Sequence, residues 1–316
     1  MTTAVDEQQL VKYLADVHSI EEQALAQMKR APKLVDGALA EAFERHLSET
    51  ESQERRVRER LEAHGASPSA VKDIAGRAGG VAMVLFARSQ PDTPGKLTAH
   101  AFSYEHMELA AYELLSRIAA RAGDEETATM AAEIGAEERA MAARLAGCFD
   151  LAVEASLDDD GAETAEQHLN AYLADAHAIE RQSISLLRKG VGMAGAEELA
   201  RVFEAHQAET EEQARRLERR LEARGSAPST LKDAALRLGA LNWGAFMAAQ
   251  PDTPAKLAGF AFAVEHLEIG SYELLLRVAK RAGDEETAAL VEATLGEERG
   301  AAAANAGQWD AALDAA

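Results

Sequence analysis

Glu21, His46, Glu49, Glu105, Glu108 and Glu138 are the residues with which this sequence can do chemistry, and each has a twin further along: Glu180, His206, Glu209, Glu265, Glu268 and Glu298. Carboxylates with imidazole form a ligand set that suits iron, manganese and zinc alike. Their spacing puts them where charge is costly. At 100° per residue, Leu10, Leu14, Val17, Leu25 and Met28 all fall within about 40° of Glu21, so this glutamate sits at the centre of an apolar helical stripe. Leu169, Leu173, Ile184 and Leu187 surround Glu180 in the same way. Leu39, Phe43, Thr50, Val57 and Leu61 share a face with His46, and Glu49 lies one turn on at its edge. Glu105 and Glu108 share the face of Ala101, Phe102, Leu109 and Tyr112, while Ile134, Leu145 and Phe149 lie on the side of Glu138.

Burying an unpaired carboxylate costs several kcal/mol even after relaxation. Four stripes each turn at least one such group inward, with no lysine at their level and with Arg56 and Arg60 two or three turns further on. A shared metal pair meets the demand for positive charge. Depth agrees. At 1.5 Å per residue, Glu21 lies about 15 Å before the first helix–helix turn and His46 about 15 Å after it. Glu105 and Glu138 are about 27 Å and 21 Å from the second turn. The two hairpins come level if the second and third helices run parallel, which requires a long crossover, and residues 65–93 supply one. This is the ferritin-like topology.

The elements that must position these residues occur twice. Residues 93–139 realign with 253–299 at an offset of 160, with about 26 of 47 positions identical. DVHSIEEQ at 16–23 matches DAHAIERQ at 175–182 one register earlier, so the second copy has gained a residue in its first helix–helix loop. The expected domains are 1–156 and 164–316, joined by the acidic linker 157–163. In the first copy, helices are expected at about 5–31, 36–64, 70–89, 94–122 and 124–150. Pro91-Asp92-Thr93-Pro94 is expected to cap the fourth of these and Asp124 the fifth. The fold class is therefore all-α: two tandem four-helix bundles, each with an extra short helix in its crossover.

Composition narrows the rest. The 316 residues carry a net charge of −21, which argues against nucleic-acid phosphates as partners. The single cysteine, Cys148, excludes an internal disulfide framework and suits a reducing cytoplasm. Neither a membrane-spanning stretch nor a signal peptide is visible.

DVHSIEEQAL, AFERHLSETESQ, YEHMELAAYE and IGAEERA, with their second-copy counterparts, resemble the YciF-like stress-protein family of ferritin-like domains over nearly all of both copies. The resemblance implies a di-metal scaffold related to rubrerythrins and bacterioferritins, and a role in stress response. Two departures stand out. Glu138-Arg-Ala-Met141 and Glu298-Arg-Gly-Ala301 replace the Glu-x-x-His of the broader group, and His46-x-x-Glu49 reverses its common order. The four-cysteine module of rubrerythrins is missing from the sequence.

Other residues keep more ordinary readings. His18 and His177, one turn before Glu21 and Glu180, are ligands or partners of ligands. His106 points about 100° from Glu105 and reads as a structural contact. Glu137 and Glu297 read as solvated unless a small rotation exchanges them with Glu138 and Glu298. Tyr112 and Tyr272 read as core packing with one satisfied hydroxyl, and His64, His100 and His168 as surface residues. Met107, Leu114 and Ile118 form a second apolar row, expected to lie under the crossover helix or against another copy. The resulting expectation is a protein holding iron or manganese, up to two ions per copy, that handles dioxygen or peroxide, alone or as a homodimer. The competing expectation is a non-enzymatic helical scaffold with vestigial or absent metal sites.

Overall fold

The computed structural model describes residues 7–88, 92–159, 165–228 and 253–316. The chain divides into two compact units, Met1–Asp159 and Asp160–Ala316. The described residues are almost entirely helical and contain no strand.

In the first unit, α1 (Glu7–Met28) and α2 (Gly37–Ala63) pack as an antiparallel pair, as do α4 (Thr93–Ala122) and α5 (Glu125–Ala146). Between the pairs, α3 (Ala70–Arg88) forms the crossover and lies mainly against α1. With α1 also against α4, and α2 against α5, the bundle closes in the ferritin-like topology. In the second unit, α7 (Ala165–Met193), α8 (Glu197–Ala223), α9 (Thr253–Arg281) and α10 (Glu285–Ala306) repeat the four bundle helices. The crossover helix expected there lies outside the described residues.

Local sequence explains the departures from expectation. The fifth expected helix does not run unbroken to 150. It stops at Ala146, and α6 (Phe149–Asp159) restarts after Gly147 and Cys148, extending into the stretch expected as linker. The break lets Phe149 meet Phe102 edge-on at 5.5 Å, and Trp309, in the short α11 (Trp309–Asp314), meets Phe262 in the same way. In the first copy Pro32 follows α1 and opens a 3₁₀ turn, Ala31–Leu34. A proline lacks the amide an α-helix needs. The second copy has Val191 at the matching place, and α7 continues to Met193.

Asp124 caps α5 as expected, accepting from the Thr127 amide at 3.0 Å. Asp92 precedes α4 without a side-chain cap bond, and its carboxylate lies 3.6 Å from Lys96 Nζ instead. Leu114 and Ile118 of the second apolar row are buried, and Met107 is half-buried. No described helix is long and apolar enough to cross a membrane.

Candidate metal centre

The helical stripes deliver the carboxylates to the interior. Glu21, Glu105, Glu108 and Glu138 are each 0% exposed, and His46 is 1% exposed. One ligating atom from each of His46, Glu105, Glu108 and Glu138 lies within 4.8 Å of the others. Three helices, α2, α4 and α5, supply this group at one level, as the depth arithmetic requires. His46 Nε2 is 3.1 Å from Glu105 Oε2 and 3.9 Å from Glu138 Oε2. Glu21 enters from α1 and accepts a hydrogen bond from the Tyr112 hydroxyl.

The polar groups here are left over from the protein's own hydrogen bonding. Apart from the ion pair between His46 Nε2 and Glu105 Oε2, both oxygens of Glu108 and Glu138 and one each of Glu105 and Glu21 are buried without a hydrogen-bond partner. Buried polar atoms are normally satisfied, so a cluster of orphans facing one point fits a cation. Electrostatics tell the same story for the metal-free protein. Burial pushes the Glu21 carboxyl up to about 8 despite its bond from Tyr112. Burial and the neighbouring carboxylates push Glu108 and Glu138 well above the ordinary range. Burial works against charge on His46, but Glu105, Glu49 and Glu138 outweigh it and raise the imidazole well above its usual value.

The second bundle gathers His206, Glu268 and Glu298 within the same 4.8 Å. Glu180 is buried and accepts from Tyr272, and Glu265 is buried nearby. The imidazole is less closely held, with Nε2 3.9 Å from Glu265 and 3.8 Å from Glu298. Burial lowers His206 to about 4 and raises Glu180, Glu265, Glu268 and Glu298 well above their ordinary values.

Glu49 stands apart from the gathered group. Its Oε2 is 3.4 Å from His46 Nδ1, on the far side of the ring from Glu105, and is held there by Arg144 from α5. A carboxylate on the second ring nitrogen fixes the tautomer of a ligating histidine. Glu209 holds the same relation to His206 at 3.7 Å but is half exposed, and Ala304 replaces the arginine. Glu137 is neither a member of the cluster nor simply solvated. It accepts from Gln53 and Arg56 and ties α5 to α2, as Glu297 does with Gln213 and Arg216.

His18 lies outside the central cluster. Its ring bridges Asp73 of the crossover helix at 3.1 Å and Glu54 at 3.0 Å, with Arg58 and Arg77 beside the neighbouring carboxylates Glu54 and Glu22. Asp73 and Arg144 are the contacts that sequence periodicity missed, because each depends on the register between different helices. His106 makes the structural contact expected, 2.7 Å from the Phe102 carbonyl oxygen. The surface reading of the three histidines that have no counterpart in the other copy needs correction. His168 is buried, His100 is half-buried, and His64 is 2.8 Å from Asp124 Oδ2, the place Arg224 takes beside Asp284.

Four-helix bundles with glutamates and one histidine converging in a buried interior define a class of helical proteins able to hold metal ions between their helices. The chain belongs to the family described as Domain of unknown function (DUF892), whose model matches residues 6–157 and again 164–306. No solved structure matches the chain.

Proposed function

We propose that each bundle is a di-metal centre of iron or manganese, in the manner of the YciF-like ferritin-like proteins, serving metal oxidation or peroxide handling in stress defence. The observation that carries this is the set of orphaned, buried carboxylate oxygens facing His46 and His206. Glu21, His46, Glu105, Glu108 and Glu138 would hold metal in the first copy, and Glu180, His206, Glu265, Glu268 and Glu298 in the second. Glu49 and Glu209 would complete the set from the edge, through the imidazole or directly. When bound, such ions supply one-electron redox chemistry toward dioxygen or peroxide.

The chain's own residues set the conditions. The glutamates hold compensating charge, the bundle excludes water, and the tyrosines orient the first-helix glutamates through one hydrogen bond each. Glu49, held by Arg144, keeps the His46 ring turned with Nε2 toward Glu105.

The test is reconstitution with Fe(II) or Mn(II) under air-free conditions, followed by metal counting. Binding in both copies is expected, with Glu21→Ala/Glu105→Ala losing the first copy's share alone. An unchanged count in that double variant would remove the assigned site. A chain that takes up no metal would be the helical scaffold instead.

A further inference from the structure

The two bundles differ beside their centres. In the second, a small cavity lies between α7, α8 and α9, walled by Leu186, Leu187, Phe203, Leu257 and Val264 and reaching His206 and Glu265. Its open volume of about 20 Å³ admits one small molecule. Among the described residues, the lining apart from Ser183 and those two floor residues is apolar or aromatic.

The first bundle carries different residues at the matching places. Tyr104 stands for Val264, Gln27 for Leu186 and Met28 for Leu187. All three are buried, and Tyr104 spans from α4 to α1, where its hydroxyl donates to the Ile20 carbonyl at 2.9 Å. A phenol therefore stands in the first bundle where an isopropyl group lines the cavity in the second.

We propose that this cavity binds a small apolar molecule of dioxygen's size beside His206 and Glu265, and that Tyr104 closes the equivalent approach in the first bundle. The chemistry of the walls favours dioxygen over peroxide. The His206, Glu265 and Ser183 floor could receive one peroxide hydroxyl, but the other would face hydrocarbon, at a cost of about 1–3 kcal/mol for the unmade hydrogen bond, whereas dioxygen makes no such demand. The functional consequence rests on the di-metal reading and deepens it: the second centre meets dioxygen through this route, and the copies are unequal. Occupancy of the cavity needs no metal.

Xenon, an apolar atom, is the probe. Added to the full metal-free chain, it should give a saturable ¹²⁹Xe chemical-shift change. Val264→Tyr, which installs the first copy's residue, should abolish it. Leu186→Gln makes the wall polar without enlarging the side chain greatly, should weaken binding, and decides the matter alone if the tyrosine variant does not fold. No saturable shift in the wild-type chain, or shifts unchanged in the folded variants, would overturn the proposal. Metal counts on the same proteins, expected to be unchanged, report separately on the centre.

Discussion

Stripping metal from the first bundle should make its stability fall as pH rises above neutrality. Glu21 has its carboxyl raised from 4.5 to about 8 by burial, so the folded metal-free state keeps a proton that the unfolded chain releases. A group raised in this way stabilises fully below its unfolded pKa, and that contribution disappears as pH climbs through the folded value. Its full extent is about 5 kcal/mol, at 1.36 kcal/mol per pKa unit. Of this, roughly 1.5–2 kcal/mol falls between pH 6.5 and 8. His46, raised above its usual value by the surrounding carboxylates, acts in the same direction. His206, and in the first bundle His100 and His106, are lowered to about 4 by burial and act oppositely, chiefly below their ordinary value of 6.5. These opposing contributions are nearly spent above about pH 7, so the decline reads most clearly from there to pH 8. The carboxylates share one site and titrate together, so their contributions do not add. Urea unfolding of chelated protein across this interval should show the decline, and manganese-loaded protein should show little. Calorimetry in buffers of different ionisation enthalpy should show protons released as metal binds. Metal-free stability that is level or rising from about pH 7 to 8, with no proton release, would refute the reasoning.

Arg144→Ala should weaken metal binding in the first copy about tenfold by releasing Glu49 from the His46 ring, which isothermal titration would register. Ala304→Arg in the second copy should have the opposite effect by restraining Glu209. Tyr112→Phe removes the hydrogen bond to buried Glu21 and should cost about 1–3 kcal/mol in denaturant unfolding of the metal-free protein; a change within 0.5 kcal/mol would mean the bond contributes little. Asp284, held down at about 2 by Arg220, Arg224 and the Thr287 amide despite partial burial, stabilises above its unfolded value of 3.8. Acid unfolding should therefore lose about 1–2 kcal/mol between pH 4 and 2, and Asp284→Ala should remove that pH dependence.

Helical period alone was enough to place Glu21, Glu105, Glu108 and Glu138 in the interior, because a stripe's centre is a local property of one helix. The rise per residue brought them level because each hairpin's turn is short. What escaped depends on how helices mesh. Arg144 reaches Glu49 only through the register of α5 against α2, and Asp73 reaches His18 only once the crossover helix has docked. Reading His168 as a surface residue treated a position without a twin as an exposed one. The break after Ala146 was marked by Gly147, but its cause, Phe149 turning onto Phe102, is a tertiary contact. The contrast between Tyr104 and Val264 is visible in the sequence, yet its meaning appears only when the cavity is seen.

The most direct test is elemental analysis of the full chain, purified without chelators and then reconstituted with Fe(II) or Mn(II) under air-free conditions. The account predicts up to two ions per copy, with uptake lost from one copy in Glu21→Ala/Glu105→Ala. Less than about 0.3 ion per copy in the folded wild-type chain would contradict it, since ligands this well gathered should bind at micromolar metal or below.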